Sequence, residues 1–189
     1  MLKFHNFDIV FQEIPGETTL AFNITGCPVC SEGCHSTQLW EDTGEPLTRE
    51  ALLAVYERYS SGVTCIALMC GDADPAEVGR IAHFIRNEIH LKSAWYSGRS
   101  NISPKVDRAD FDFIKVGPYI EKLGGLKSPA TNQRLYLVSL LLICTSSVTN
   151  FDTEKGVFQY RLEKYWRLPH RAVVLLWQLF QIVLGFTPS

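Results

Sequence analysis

The chain has almost no net charge, with 18 Lys and Arg against 20 Asp and Glu, a balance of −2 at pH 7 over 189 residues. Such a balance offers no general attraction to nucleic acid or to an anionic membrane. Bilayer-length apolar runs are also missing. The apolar-rich stretch at residues 172–186 has 15 residues, short of the roughly 20 that a spanning helix needs. It reads as a packing helix or an interfacial segment. No internal repeat, low-complexity tract, P-loop or complete dinucleotide fingerprint occurs. The opening Met1-Leu2-Lys3-Phe4-His5-Asn6 lacks the apolar stretch and small-residue cleavage site of a secretory signal. Six cysteines are too few for a disulfide scaffold. A reducing, cytoplasmic setting is therefore expected, where clustered thiols point to metal or redox chemistry.

What is present is an ordinary globular composition, 46% hydrophobic and 20% charged, enough for one sizeable core. Leu20, Phe22 and Ile24 alternate with smaller or polar residues between Pro15-Gly16 and Gly26, which predicts a strand over residues 18–25. Residues 48–59 place Leu52, Val55, Tyr56 and Tyr59 at helical spacing, with Thr48 as N-cap and Ser60-Ser61-Gly62 as the stop. The continuous apolar run at 63–69 predicts a buried strand. Asp74-Pro75 opens a second helix, with Val78, Ile81, Ala82 and Ile85 on one face. Further strands are predicted at 92–97, ended by Gly98, and at 111–116, ended by Gly117-Pro118. Strands alternating with helices predict parallel βαβ units. In such layouts ligand groups gather at the carboxyl ends of the strands. The loop after residue 25, Gly71-Asp72 and Ser97-Gly98 all fall there.

Cys27, Cys30 and Cys34 lie within eight residues. Three thiolates on one short loop fill three corners of an iron–sulfur cube and leave one position open for reaction. Gly26, Pro28 and Gly33 supply the turn chemistry that such a loop requires. Two other readings stand beside this one. Zinc would recruit His35, although adjacent residues seldom point at one small ion and no second Cys or His pair has finger-like spacing. Unligated buried cysteines are the third.

The residues in order resemble a known family. Pro15-Gly16, the strand through Ile24, Gly26-Cys27, the three-cysteine loop, Cys34-His35-Ser36 and Leu39-Trp40 are similar to the radical S-adenosylmethionine (SAM) activases. The subgroup most resembled is the anaerobic ribonucleoside-triphosphate reductase activating proteins. Gly71-Asp72-Ala73-Asp74-Pro75, Ala94-Trp95-Tyr96-Ser97-Gly98-Arg99, Lys115-Val116-Gly117-Pro118-Tyr119 and Asn132-Gln133-Arg134 extend the resemblance over residues 1–138. It implies an α/β fold, a shortened βα barrel of the radical SAM type with parallel strands. Residues 139–189 would be a C-terminal helical extension that the family does not share, as a docking helix or a membrane-surface contact.

The resemblance further implies a [4Fe-4S] cluster on Cys27, Cys30 and Cys34, with S-adenosyl-L-methionine at the open iron. Gly71, Asp72, Ser97 and Gly98 would contact that cofactor, Asp72 through the amino group or, alternatively, as a cap on the next helix. No catalytic side chain is expected beyond the cluster. Reductive cleavage would yield a 5′-deoxyadenosyl radical that takes hydrogen from a glycine of the reductase large subunit. Flavodoxin or ferredoxin would supply the electron. The alternatives are another glycyl-radical partner, or a catalytically silent metal-binding or interaction protein of the same fold. The family spacing is Cys-x-x-x-Cys-x-x-Cys, whereas here it is Cys27-x-x-Cys30-x-x-x-Cys34, with Ser31 at the middle position. Cys30 is expected to take the middle role. Cys70 stands where the family tends to have glycine, and no lysine occupies the position of Pro118. Cys65 and Cys144 read as small buried hydrophobes.

Overall fold

The apolar run after Gly62 forms strand β4 (Cys65–Met69), and four of its five residues are fully buried. The computed structural model describes residues 1–138, together with the strand backbones of Phe151–Asp152 and Val157–Tyr160. β2 (Thr19–Ile24), β4, β5 (Lys92–Tyr96) and β6 (Phe113–Val116) run parallel in that order. β1 (Lys3–Val10) and β3 (Glu45–Pro46) extend one edge antiparallel. On the other edge lie β7 (Arg134–Leu137), β9 (Val157–Tyr160) and β8 (Phe151–Asp152), also antiparallel. The described residues thus form an α/β fold around one mixed, parallel-containing sheet that is not closed into a barrel. Among them, no helix is long and apolar enough to cross a membrane.

Both helices begin where their caps predict. α1 (Arg49–Tyr59) starts at Thr48, whose hydroxyl accepts from the Ala51 N–H at 3.1 Å. α2 (Pro75–Phe84) starts at Asp74, which accepts from Glu77 N–H at 3.1 Å, with Pro75 in the first helical position. A π-helical stretch, Ile85–Ile89, continues α2 and stops at His90 in the left-handed region, φ 61°. Val78, Ile81, Ala82 and Ile85 are buried, and so are Leu52 and Val55 of α1. They join Leu20, Phe22, Ile24, Ile66, Leu68, Trp95 and Ile114 in the main core.

The opposite face of the sheet is built differently. Ala21, Ala67, Ala94 and Phe113 pair across the four parallel strands in one row. With Cys65 and Leu135 they form a second cluster, with Ile14 packed among them. Cys65 is fully buried, as the sequence predicts. One residue pair further along the strands, Asn23, Met69, Tyr96 and Lys115 make the next row. This second row leads to the strand ends and sets what faces the loops beyond them.

Two differences from the sequence reading concern the edges. The parallel pattern does not include β1, β3 or β7, and Asn132-Gln133-Arg134 leads directly into β7. Residues 139–189 are expected to be helical, yet β8 and β9 within them are strands that continue the sheet beside β7. The helix expected at 172–186, and Cys144, lie outside the described residues.

Candidate functional site

The carboxyl ends of the four parallel strands lead into the segments singled out by sequence: β2 into the cysteine loop, β4 into Cys70-Gly71-Asp72, β5 into Ser97-Gly98-Arg99 and β6 into Gly117-Pro118-Tyr119. These segments are tied together. Val29 of the cysteine loop lies against Gly98, where a Cβ would stand 3.0 Å from Val29 Cγ2. His35 Nε2 lies 3.1 Å from the Tyr119 hydroxyl, joining the loop to the end of β6. Backbone bonds run from Cys70 N–H to the Tyr96 carbonyl (2.9 Å), from Ser97 N–H to the Lys115 carbonyl (2.8 Å) and from Gly117 N–H to the Arg99 carbonyl (2.7 Å).

Asp72 is the polar node of the site. It is 1% exposed, and its carboxylate accepts from Ser97 Oγ at 2.6 Å and from Gly98 N–H at 2.8 Å. Arg99 reaches the Asp72 carbonyl at 3.4 Å. The cap of α2 is Asp74 and not Asp72, which corrects the alternative role that sequence leaves open for Asp72. Three residues inferred from the resemblance, Asp72, Ser97 and Gly98, therefore meet in one hydrogen-bonded unit. Gly71 answers to packing. Its φ is 90°, and a Cβ would come within 2.6 Å of Val78 Cγ2, so α2 requires glycine here.

Cys27, Cys30 and Cys34 are free thiols. Gly26, just before Cys27, and Gly33, just before Cys34, adopt positive φ, 69° and 76°, which the loop's turns require. The Cys27 backbone N–H donates to the Leu39 carbonyl at 2.9 Å. The Cys27 pKa is drawn down to about 6, with the Cys70 thiol as the leading cause, against partial burial. The N–H groups of Val29 and Cys30 add to the effect. Cys70 moves the other way, above the ordinary thiol range, through the influence of Cys27 and its own burial. Cys30 is exposed, adopts φ 44°, and donates its S–H to the Cys27 carbonyl at 3.3 Å. Cys34 accepts from the Ser36 N–H at 3.4 Å.

Lys115 belongs to this site, although the sequence reading gives it no site role beyond the match at Lys115-Val116-Gly117-Pro118-Tyr119. It is 8% exposed, and its Nζ donates to the Gly117 carbonyl at 2.7 Å. Burial lowers its pKa to about 8, opposed by the charges of Asp72, Cys34 and Cys70. The signal available in sequence is a lysine in the apolar run Phe113-Ile114-Lys115-Val116.

The donor chemistry suits an iron–sulfur group: three free soft ligands on one loop, with Cys27 poised as thiolate. The present spacing is wider than ligation requires. Among the described residues, no three His, Cys, Asp or Glu side chains gather closely enough to hold a metal ion. No family model matches the chain, and neither does any curated protein or solved structure.

Proposed function

We propose that the chain is an iron–sulfur, S-adenosyl-L-methionine-dependent activating enzyme for the large subunit of anaerobic ribonucleoside-triphosphate reductase. In this reading the mixed sheet is an open form of the shortened radical SAM barrel. The observation that carries it is the meeting of the cysteine loop with the Asp72, Ser97 and Gly98 unit at the carboxyl ends of parallel strands. Cys27, Cys30 and Cys34 would hold a [4Fe-4S] cluster, and Gly71, Asp72, Ser97 and Gly98 would line the cofactor pocket. Together, cluster and cofactor supply the one-electron radical chemistry that side chains lack.

The chain's own residues bind and orient. Asp72 holds the ends of β4 and β5 in register, and Val29 seats the cysteine loop on Gly98. Lys115 provides a buried cation close enough to feel Asp72, Cys34 and Cys70. A flavodoxin or ferredoxin donor and a cytoplasmic setting belong to the same reading.

Anaerobic reconstitution followed by electron paramagnetic resonance, with and without S-adenosyl-L-methionine, tests it. A reduced-cluster signal that shifts on adding the cofactor supports the enzyme. Absence of any cluster signal favours a second reading, a catalytically silent metal-binding or interaction protein of this fold, to which the separated thiols lend weight. Co-purification with the reductase large subunit, rather than another glycyl-radical protein, tests the partner.

A further inference from the structure

Trp95, near the end of β5, is fully buried, and its ring lies beside Phe111 with centroids 6.0 Å apart. A phenylalanine would fill such a place without bringing a polar group into the core. A buried indole N–H needs an acceptor, and this one donates to the Cys70 carbonyl at 2.7 Å. That carbonyl belongs to the peptide plane between Cys70, φ 79°, and Gly71, φ 90°. Glycine adopts such angles freely, whereas at Cys70 the Cβ crowds the backbone, so surrounding contacts must hold the residue there. Two consecutive residues of β5 do so. Trp95 binds the Cys70 carbonyl, and the Tyr96 carbonyl accepts from the Cys70 N–H at 2.9 Å. Beyond the turn, the Gly71 carbonyl accepts from the Asp74 N–H at 3.1 Å, so Asp72 sits between two anchored points. From there its carboxylate reaches Ser97 and Gly98.

We infer that Trp95 is a positioning residue: its indole N–H locks the left-handed Cys70-Gly71 turn and thereby sets the Asp72 carboxylate against Ser97 and Gly98. The bond stands in for the glycine that a turn of this shape otherwise calls for at position 70. The lock itself requires no ligand. That it shapes a pocket for S-adenosyl-L-methionine, through Gly71, Asp72, Ser97 and Gly98, rests on the proposed function.

The test follows the Gly98 amide, which donates to Asp72, by hydrogen–deuterium exchange of the full-length chain read by NMR. Trp95→Phe keeps a buried ring and loses the N–H. It is expected to speed Gly98 exchange by about tenfold relative to the Leu20 and Ala21 amides of β2, which register any general loosening. Adding Cys70→Gly is expected to restore the parent rate, because glycine holds the turn without the bond, and Cys70→Gly alone leaves that rate unchanged. Parent-like Gly98 exchange in Trp95→Phe overturns the inference. So does a loss that Cys70→Gly fails to restore, which would mark a packing defect alone. In the anaerobically reconstituted chain, S-adenosyl-L-methionine affinity is expected to fall and recover with the same two variants. Affinity that stays at the parent value in Trp95→Phe overturns the link to the pocket. A parent that binds no S-adenosyl-L-methionine fails the proposed function, while Gly98 exchange still decides the role of Trp95.

Discussion

Ser97 donates a 2.6 Å hydrogen bond to Asp72, joining the ends of two parallel strands that neighbour each other in the sheet. Gly98 N–H takes the other carboxylate oxygen at 2.8 Å, and the acid is 1% exposed. Hydrogen bonds to a charged group contribute roughly 1.5–3 kcal/mol each, and stranding their donors in the interior adds a desolvation cost. Asp72→Ala is expected to lose about 3 kcal/mol of stability and Ser97→Ala about half of that, read from urea denaturation midpoints. Equal midpoints for parent and Asp72→Ala would show that this bond does not hold the strand ends together.

Cys27 offers a second measurement. Its thiolate is favoured first by the Cys70 thiol, which brings the pKa down to about 6. Alkylation by iodoacetamide, followed peptide by peptide, is expected to rise through that pH at Cys27. In Cys70→Ala that influence is gone and the profile moves up toward the ordinary thiol range, slowing labelling at pH 7 by roughly tenfold. An unchanged profile in the variant would assign the poise to the loop N–H groups of Val29 and Cys30 instead.

The two helices and four parallel strands are legible in the sequence because their signals are local. Thr48 and Asp74-Pro75 mark the helix starts, and apolar runs bounded by glycine mark the strands. β1 is not legible, since Lys3–Val10 mixes polar and apolar residues and gains its strand form from pairing with β2. The shared location of Asp72, Ser97 and Gly98 follows from the strand-end rule. Their mutual hydrogen bonds do not, because the strand ends must first come into register. Lys115 is obscure for the same reason, since it takes its place at the site through the pairing of β6 with Tyr96 of β5. Gly71 carries a different lesson. Close approach of a ligand and close packing of Val78 call for the same residue, and sequence cannot separate them.

Burial of Lys115 predicts a specific alkaline behaviour. Its pKa falls from 10.5 to about 8 in the folded chain, chiefly by desolvation. Below pH 8 the ammonium is present in both folded and unfolded chains, and its desolvation cost is fully borne. Between about 8 and 10.5 the folded chain binds fewer protons than the unfolded one, so stability rises with pH across that window, by on the order of 3 kcal/mol. Lys115→Met removes the charge while keeping much of the volume. It is expected to melt no lower than the parent at pH 7, with the difference between them narrowing from pH 8 to 10.5. A difference that stays constant with pH would mean that Lys115 titrates normally.

The middle cysteine decides whether the loop suits a cluster. Cys30 stands one residue before the family's position, a displacement of at most about 3.5 Å of chain, and its sulfur is bonded to the Cys27 carbonyl. Ligation would break that weak S–H contact and turn the exposed side chain inward, a small rearrangement beside the strength of an iron–thiolate bond. Ser31, at the family's position, offers a hydroxyl, a poor donor to iron. Under the proposed function, anaerobic reconstitution of Cys30→Ala is expected to recover well under half the iron and sulfide of the parent, while Ser31→Ala matches the parent. Normal iron and sulfide in Cys30→Ala would remove Cys30 from the ligand set.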